Sequence, residues 1–103
     1  LLAAEEKPDA IFVANDHMAF AVMDGIRSEY GLRIPEDISV VGYDNVPEAD
    51  SAAYNLTTVE QPVDAMIAAT VDVLLQQMEH KEVSPVQKVT DACLIVRGSV
   101  RDE

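Results

Sequence analysis

The chain is poor in the features that mark several common functions. Its single cysteine, Cys93, excludes an internal disulfide and lies in the apolar run ACLIV, where a thiol behaves as a small hydrophobe. Basic residues are scarce: seven Lys and Arg and two His stand against 19 Asp and Glu, a formal charge of −12. So acidic a surface opposes the phosphate neutralisation that drives nucleic-acid binding, and these residues are not a DNA reader by themselves. No apolar run approaches the roughly 18 residues of a membrane span, and the opening LLAAEEKPDA has neither a basic region nor a long apolar stretch. A soluble protein with no membrane partner is expected.

Signs of catalysis are missing too. No serine or cysteine sits in a nucleophile elbow, and no glycine-rich phosphate loop opens a helix. Asp16 and His17 are helix neighbours that do not face each other, so they make no acid–base pair. His80 and Cys93 lack companions at ligand spacing, so no metal is expected. The reading is of a protein that is not an enzyme and has no cofactor.

What is present is the balance of a small folded α/β domain, or of one lobe of something larger: 103 residues, 49% hydrophobic and 25% charged. After Pro8 the run AIFVA reads as a strand covered on both faces. Asp16 is a suitable N-cap for a helix to about Tyr30, which Gly31 stops. In that helix Met18, Val22, Ile26 and Tyr30 recur every fourth residue, widened by Ala19 and Met23, and predict the buried stripe; Phe20 falls at the edge of the polar side. A second strand runs Ile38 to Tyr43, and strand–helix–strand at this spacing predicts a parallel pair. An irregular acidic stretch, Asn45 to Asn55, leads to the crossing segment LTTVEQP. From Val63 to about Lys81 a long helix presents Val63, Met66, Ile67, Thr70, Leu74 and Met78; KEVSPVQ then connects to a last strand, Ala92 to Val96, before the polar tail RGSVRDE.

In open parallel sheets the carboxyl ends of the strands face a crevice where ligands bind. Asn15 follows the first strand and Asp44 the second, so the fold would bring an amide and a carboxylate to one rim. Gly42 would permit close approach of the backbone, Tyr43 would supply an aromatic wall or a core ring, and Asp44 would offer two acceptor oxygens to the donors of a sugar or a purine. By spacing alone a second reading stands beside this one: Asp44 caps a turn around Val46–Pro47, and Asn15 merely precedes a helix.

Four phrases in order, PDAIFVANDHMAFAVMDGI, GLRIPEDISVVGYDNVPEA, LTTVEQP and LIVRGSV, resemble the C-terminal part of the effector-binding core of the lactose- and galactose-repressor family of bacterial transcription regulators. The resemblance covers almost the whole chain. It implies an α/β fold with a parallel sheet flanked by helices, like that of the type I periplasmic sugar-binding proteins, present here only in part. Residues 1–60 would belong to the C-terminal lobe, 61–91 to a crossing segment and a long helix of the other lobe, and 92–103 to a strand and tail returning to the first. The start at Leu1 fits a fragment. The implied function is effector sensing and dimerisation in a cytoplasmic repressor, whose operator DNA is read by a helix-turn-helix headpiece outside this chain.

Carried over by position, Asp44, Asn15 and Gln61 match residues that hold a small effector, a sugar or a derivative of one. Val63 falls where some relatives have a bulkier pocket residue. The first helix and the loop after Asp44 resemble the family's subunit interface, which implies a homodimer with Phe20 and Met23 at the contact. A periplasmic sugar-binding receptor of a transport system has the same fold and stands as the alternative; a signal peptide upstream would mark that one, a basic helix-turn-helix the other.

Overall fold

The computed structural model describes residues 7–80 and 91–101. In chain order they form strand β1 (Ala10–Phe12), helix α1 (Asp16–Ser28), strand β2 (Ser39–Asp44), a 3-10 turn (Pro47–Asp50), strand β3 (Thr57–Glu60), helix α2 (Val63–His80) and strand β4 (Cys93–Ile95). The strands lie in one sheet in the order β1-β2-β3-β4. β1 runs parallel to β2 with Phe12 opposite Val41, and β2 runs parallel to β3 with Asp44 opposite Glu60. The expected α/β layout with a parallel sheet is what the chain adopts. By internal contacts it divides into two compact units, Leu1–Glu60 with Leu94–Glu103, and Gln61–Cys93. The connector KEVSPVQ lies outside the described residues.

In the first unit α1 packs on the sheet through Ala19, Phe20, Met23 and Ile26, which meet Val13, Ile38, Val40 and Leu56 in the core. This differs from the expected stripe. Met18 is 53% and Tyr30 45% exposed, whereas Phe20 is 8% and Met23 0% exposed. The inner face therefore follows Asp16, Ala19, Met23 and Ile26, and the apolar period that included Met18 and Tyr30 pointed to a face rotated from the true one. A polar residue caused the error: Asp16 is wholly buried and belongs to the inner face, so hydrophobicity alone misplaced its centre.

Asn15, not Asp16, caps the helix. Its backbone is extended (φ −154°, ψ 166°), and its side-chain oxygen accepts from the Met18 N–H at 2.9 Å. At the other end Gly31 takes φ +62°, the left-handed conformation glycine adopts without cost, and the Leu32 N–H donates to the Ile26 carbonyl at 3.1 Å. The helix ends at Ser28, one half-turn before the expected Tyr30.

Among the described residues one face of β1 is covered and the other is not. Ile11 is half-buried, but Phe12 is 64% exposed, and Leu94 and Val96 are likewise open. The expectation of a strand buried on both faces fails here, because AIFVA gives just three strand residues and the second apolar face has no cover among the described residues. The tail after β4 is not a loose polar end either. Ser99 Oγ donates to the Val40 carbonyl at 2.6 Å and accepts from the Thr57 N–H at 2.8 Å, and the Val40 N–H donates to the Ser99 carbonyl at 2.9 Å. This segment takes up polar backbone groups of β2 and β3 that would otherwise be buried unpaired.

The second unit is dominated by α2, whose start follows Pro62 as its sequence implies. Val63, Ile67, Leu74 and Met78 of its apolar face are each more than half exposed.

The rotated phase of α1 makes opposite demands on two methionines of one helix. Met23→Ala should cost about 2–5 kcal/mol of unfolding free energy, while Met18→Ala should stay within about 0.5 kcal/mol, as read by urea denaturation. Equal losses would restore the face centred on Met18.

Candidate functional site

The C-terminal edge of the parallel strands carries both residues singled out from sequence. Counted from the register pair Phe12 and Val41, Asn15 and Asp44 each lie three residues further on, toward the same edge. Each is half-buried. The Asn15 side-chain oxygen is engaged in capping α1. Asn15, expected on one reading merely to precede the helix, is its cap.

Asp44 ends β2 in an unusual backbone state. Its φ is +118° and that of Asn45 is +58°, so two successive L-residues occupy territory that normally favours glycine. Such a conformation costs about 1–3 kcal/mol and persists only where the surroundings enforce it. Here they do. The Val46 N–H donates to Asp16 Oδ2 at 2.9 Å, and the Asn45 N–H reaches Thr58 Oγ1 at 3.4 Å. Thr58 Oγ1 donates in turn to Asp16 Oδ1 at 2.6 Å. The Asn45 side chain is gripped at both ends: Oδ1 accepts from the Arg97 guanidinium at 2.8 Å, and Nδ2 donates to Glu60 Oε2 at 3.3 Å.

Asp16 and Arg97 are the two anchors that sequence reasoning missed. Asp16 is completely buried, and room for its carboxylate is made by Gly42: a Cβ there would overlap Asp16 Oδ1 and approach Leu56 Cδ2 to 2.9 Å. The close approach that Gly42 permits is thus to an internal carboxylate. Arg97 also donates to the Leu56 carbonyl at 2.8 Å and lies 3.5 Å from Asp50, with its side chain 13% exposed. The signal for Asp16 was its place one residue past a cap, on the face that proved to be inward; Arg97 gave no local signal, since its partners lie more than 40 residues away.

Gln61 is half-buried and falls in the second unit, one residue after Glu60. For the other two named residues the structure brings a correction. Met23 has no exposed surface, so its side chain is core and cannot meet a second chain directly. Phe20 stacks on Tyr54 (centroids 4.3 Å, 24° between planes) and meets His17 edge-on at 5.9 Å, so the loop after Asp44 already covers most of it. The Tyr54 hydroxyl donates to Asp24 at 3.2 Å, and Arg27 donates to the Ala53 carbonyl at 2.8 Å. Among the described residues no cluster of His, Cys, Asp and Glu could hold a metal, and no helix is long and apolar enough to cross a membrane.

Two outcomes follow from this geometry. Asp44→Gly, which admits φ +118° freely, should be more stable than Asp44→Ala by about 1 kcal/mol in a denaturant titration, since both lack the carboxylate and only alanine keeps the strain; equal stabilities would argue that the position is unstrained. The Tyr54 phenol is held above its ordinary value, first by its hydrogen bond to Asp24, then by burial and by the Asp24 charge. A raised folded value means that its contribution to stability is whole below about pH 10 and is lost as pH rises through the folded value. The stability gap between wild type and Tyr54→Phe should therefore stay constant up to about pH 10 and close above it; a gap that widens with pH would contradict the bond.

Residues 1–100 match the family described as periplasmic binding protein-like domain. The HTH-type transcriptional repressor PurR of Vibrio atlanticus is 42% identical over 82 residues, covering 80% of this chain and 24% of that protein. The repressor of the same name from Escherichia fergusonii is 38% identical over 102 residues, covering 99% of this chain and 30% of that protein. Against these curated relatives the chain thus spans 24–30% of their length. Among solved structures, the transcriptional regulator CelR in complex with cellobiose superposes with a TM-score of 0.79 at 36% identity, over 88% of this chain and 28% of that one. The Lac repressor bound to ONPG does so with a TM-score of 0.78 at 38% identity, over 90% of this chain and 28% of that one. The chain belongs to the periplasmic binding protein-like domain family and is similar to part of transcriptional repressors and of the Lac repressor.

Proposed function

We propose that this chain is the effector-sensing and dimerising portion of a bacterial transcriptional repressor, in which Asp44 and Asn15, with Gln61, hold a sugar-like or nucleobase-like molecule. The observation that carries the proposal is the backbone of Asp44, kept at φ +118° at the carboxyl edge of a parallel sheet, where ligands of such sheets bind. Strain maintained at such an edge points to use of the side chain it presents. Asp44 supplies two acceptors and the Asn15 amide a donor, a pair suited to hydroxyl or ring N–H groups. The solved relative in complex with cellobiose lends support to a hydroxylated ligand.

Under this proposal residues 1–60 and 92–103 serve in one lobe and 61–91 in the other, a division that the two compact units support. The ligand does no covalent chemistry. Its differential affinity for two lobe arrangements shifts operator binding, which a part of the regulator outside this chain performs in the cytoplasm. Dimer contact falls around α1 and the loop after Asp44, with the buried Phe20 and Met23 supporting it from within. The repressor identity of the relatives favours this reading over a transport receptor.

The test is calorimetric titration of the full-length protein carrying this chain with ribose, cellobiose, sucrose, adenine and guanine. One of these should bind, and Asp44→Gly should weaken it roughly 10- to 150-fold, the loss of a charge-assisted hydrogen bond of about 1.5–3 kcal/mol. Binding that survives unchanged removes Asp44 from the site.

A further inference from the structure

We infer that Asp16, which the ligand does not reach, is the positioning residue that sets the backbone of Asp44 and its spacing from Asn15. This inference rests on the proposed ligand role of those two residues. Asp16 is 0% exposed, so it makes no contact with a molecule at the rim. It occupies the first turn of α1, adjacent to Asn15 in the chain, and therefore moves with the capped helix start. Its two oxygens face opposite structural elements: Oδ2 accepts from the Val46 N–H in the turn after Asp44, and Oδ1 accepts from the Thr58 hydroxyl on β3. Thr58 Oγ1 then takes the Asn45 N–H.

One side chain consequently ties together the residue after Asn15, the two residues after Asp44 and the strand beside it. A backbone at φ +118° followed by one at φ +58° relaxes unless the amides that follow are held, and both held amides lead to Asp16. The carboxylate is also chemically apt, because it accepts at both oxygens, whereas an amide of equal shape accepts at only one. The negative charge is further favoured by the positive end of α1. Gly42 completes the arrangement, since any larger residue would take the volume the carboxylate fills.

The experiment is made on the full-length protein with Asp16→Asn, read in two ways. Amide hydrogen exchange without ligand should show at least a tenfold loss of protection at Asn45 and Val46, with α1 from Ala19 to Ile26 unchanged. Titration with the panel above should then show at least tenfold weaker binding. Uniform loss of protection across the first unit would make Asp16 a plain stability residue and overturn the inference, as would local loss with unaltered affinity. If wild type binds none of the panel, the ligand reading fails for those compounds; the backbone claim is still decided by exchange at Asn45 and Val46. Should Asp16→Asn not fold, Thr58→Val and Thr58→Ser decide. The valine, lacking the hydroxyl, should lose Asn45 protection and affinity; the serine should restore both, and indifference to this exchange would overturn the inference.

Discussion

A carboxylate sealed between a helix and a sheet is the constraint on which the first unit depends. Moving an ionised group out of water costs several kcal/mol, and only good hydrogen-bond geometry recovers it. Asp16 finds that geometry at 2.6 Å from the Thr58 hydroxyl and 2.9 Å from the Val46 N–H, at the positive end of α1. To reach both donors the helix must start where it does, β3 must present Thr58 inward, and the chain after Asp44 must turn sharply enough to aim the Val46 N–H back at the sheet. An apolar side chain in that place would fix none of these directions.

The sharp turn is where the strain resides. Asp44 and Asn45 lie in conformations that cost about 1–3 kcal/mol each, comparable to the total worth of a pair of ordinary hydrogen bonds at about 1 kcal/mol apiece. The turn must therefore be tied by more than one bond. Arg97 provides the second tie, joining the Asn45 side chain, the Leu56 carbonyl and Asp50, so that the segment after β4 and the first turn of α1 grip the same few residues from two sides. Ser99 extends the same function along β2 and β3. Polar side chains here determine geometry while the hydrophobic core supplies the bulk of the stabilisation.

That distribution explains what could be read from the sequence. The elements themselves were legible: AIFVA, ISVVGYD and the run from Val63 give β1, β2 and α2 to within a residue or two, because their apolar content and bounding prolines and glycines act locally. The ends of β1 and β2 were legible too, and with them the shared edge of Asn15 and Asp44. Hidden were the features with distant causes. The orientation of α1 depends on a buried aspartate that hydrophobic periodicity treats as surface, so Met18 was placed inside and Phe20 at the edge of the polar side. The role of RGSV depends on partners 40 to 60 residues away, so it read as a tail. Gly42 was correctly seen as a place of close approach, but what approaches is the chain's own carboxylate.

A rim held this firmly limits how it can transmit a signal. The polar groups of Asn45 and the N–H of Val46 are engaged by residues from α1, β3 and the segment after β4, so under the proposed role a ligand at Asp44 would have little slack to take up by reshaping the turn. Energy from binding would then be delivered to the unit as a whole. Among the described residues Phe12, Leu94 and Val96 are exposed, and Phe20 stacks on Tyr54 of the loop after Asp44. Under the proposed role, a tilt imposed at the ligand edge would be carried through the packed unit to α1. For a sensor, strain that is permanently clamped is thus more useful than a flexible loop, because the clamp turns a contact of a few atoms into displacement of a whole packed body.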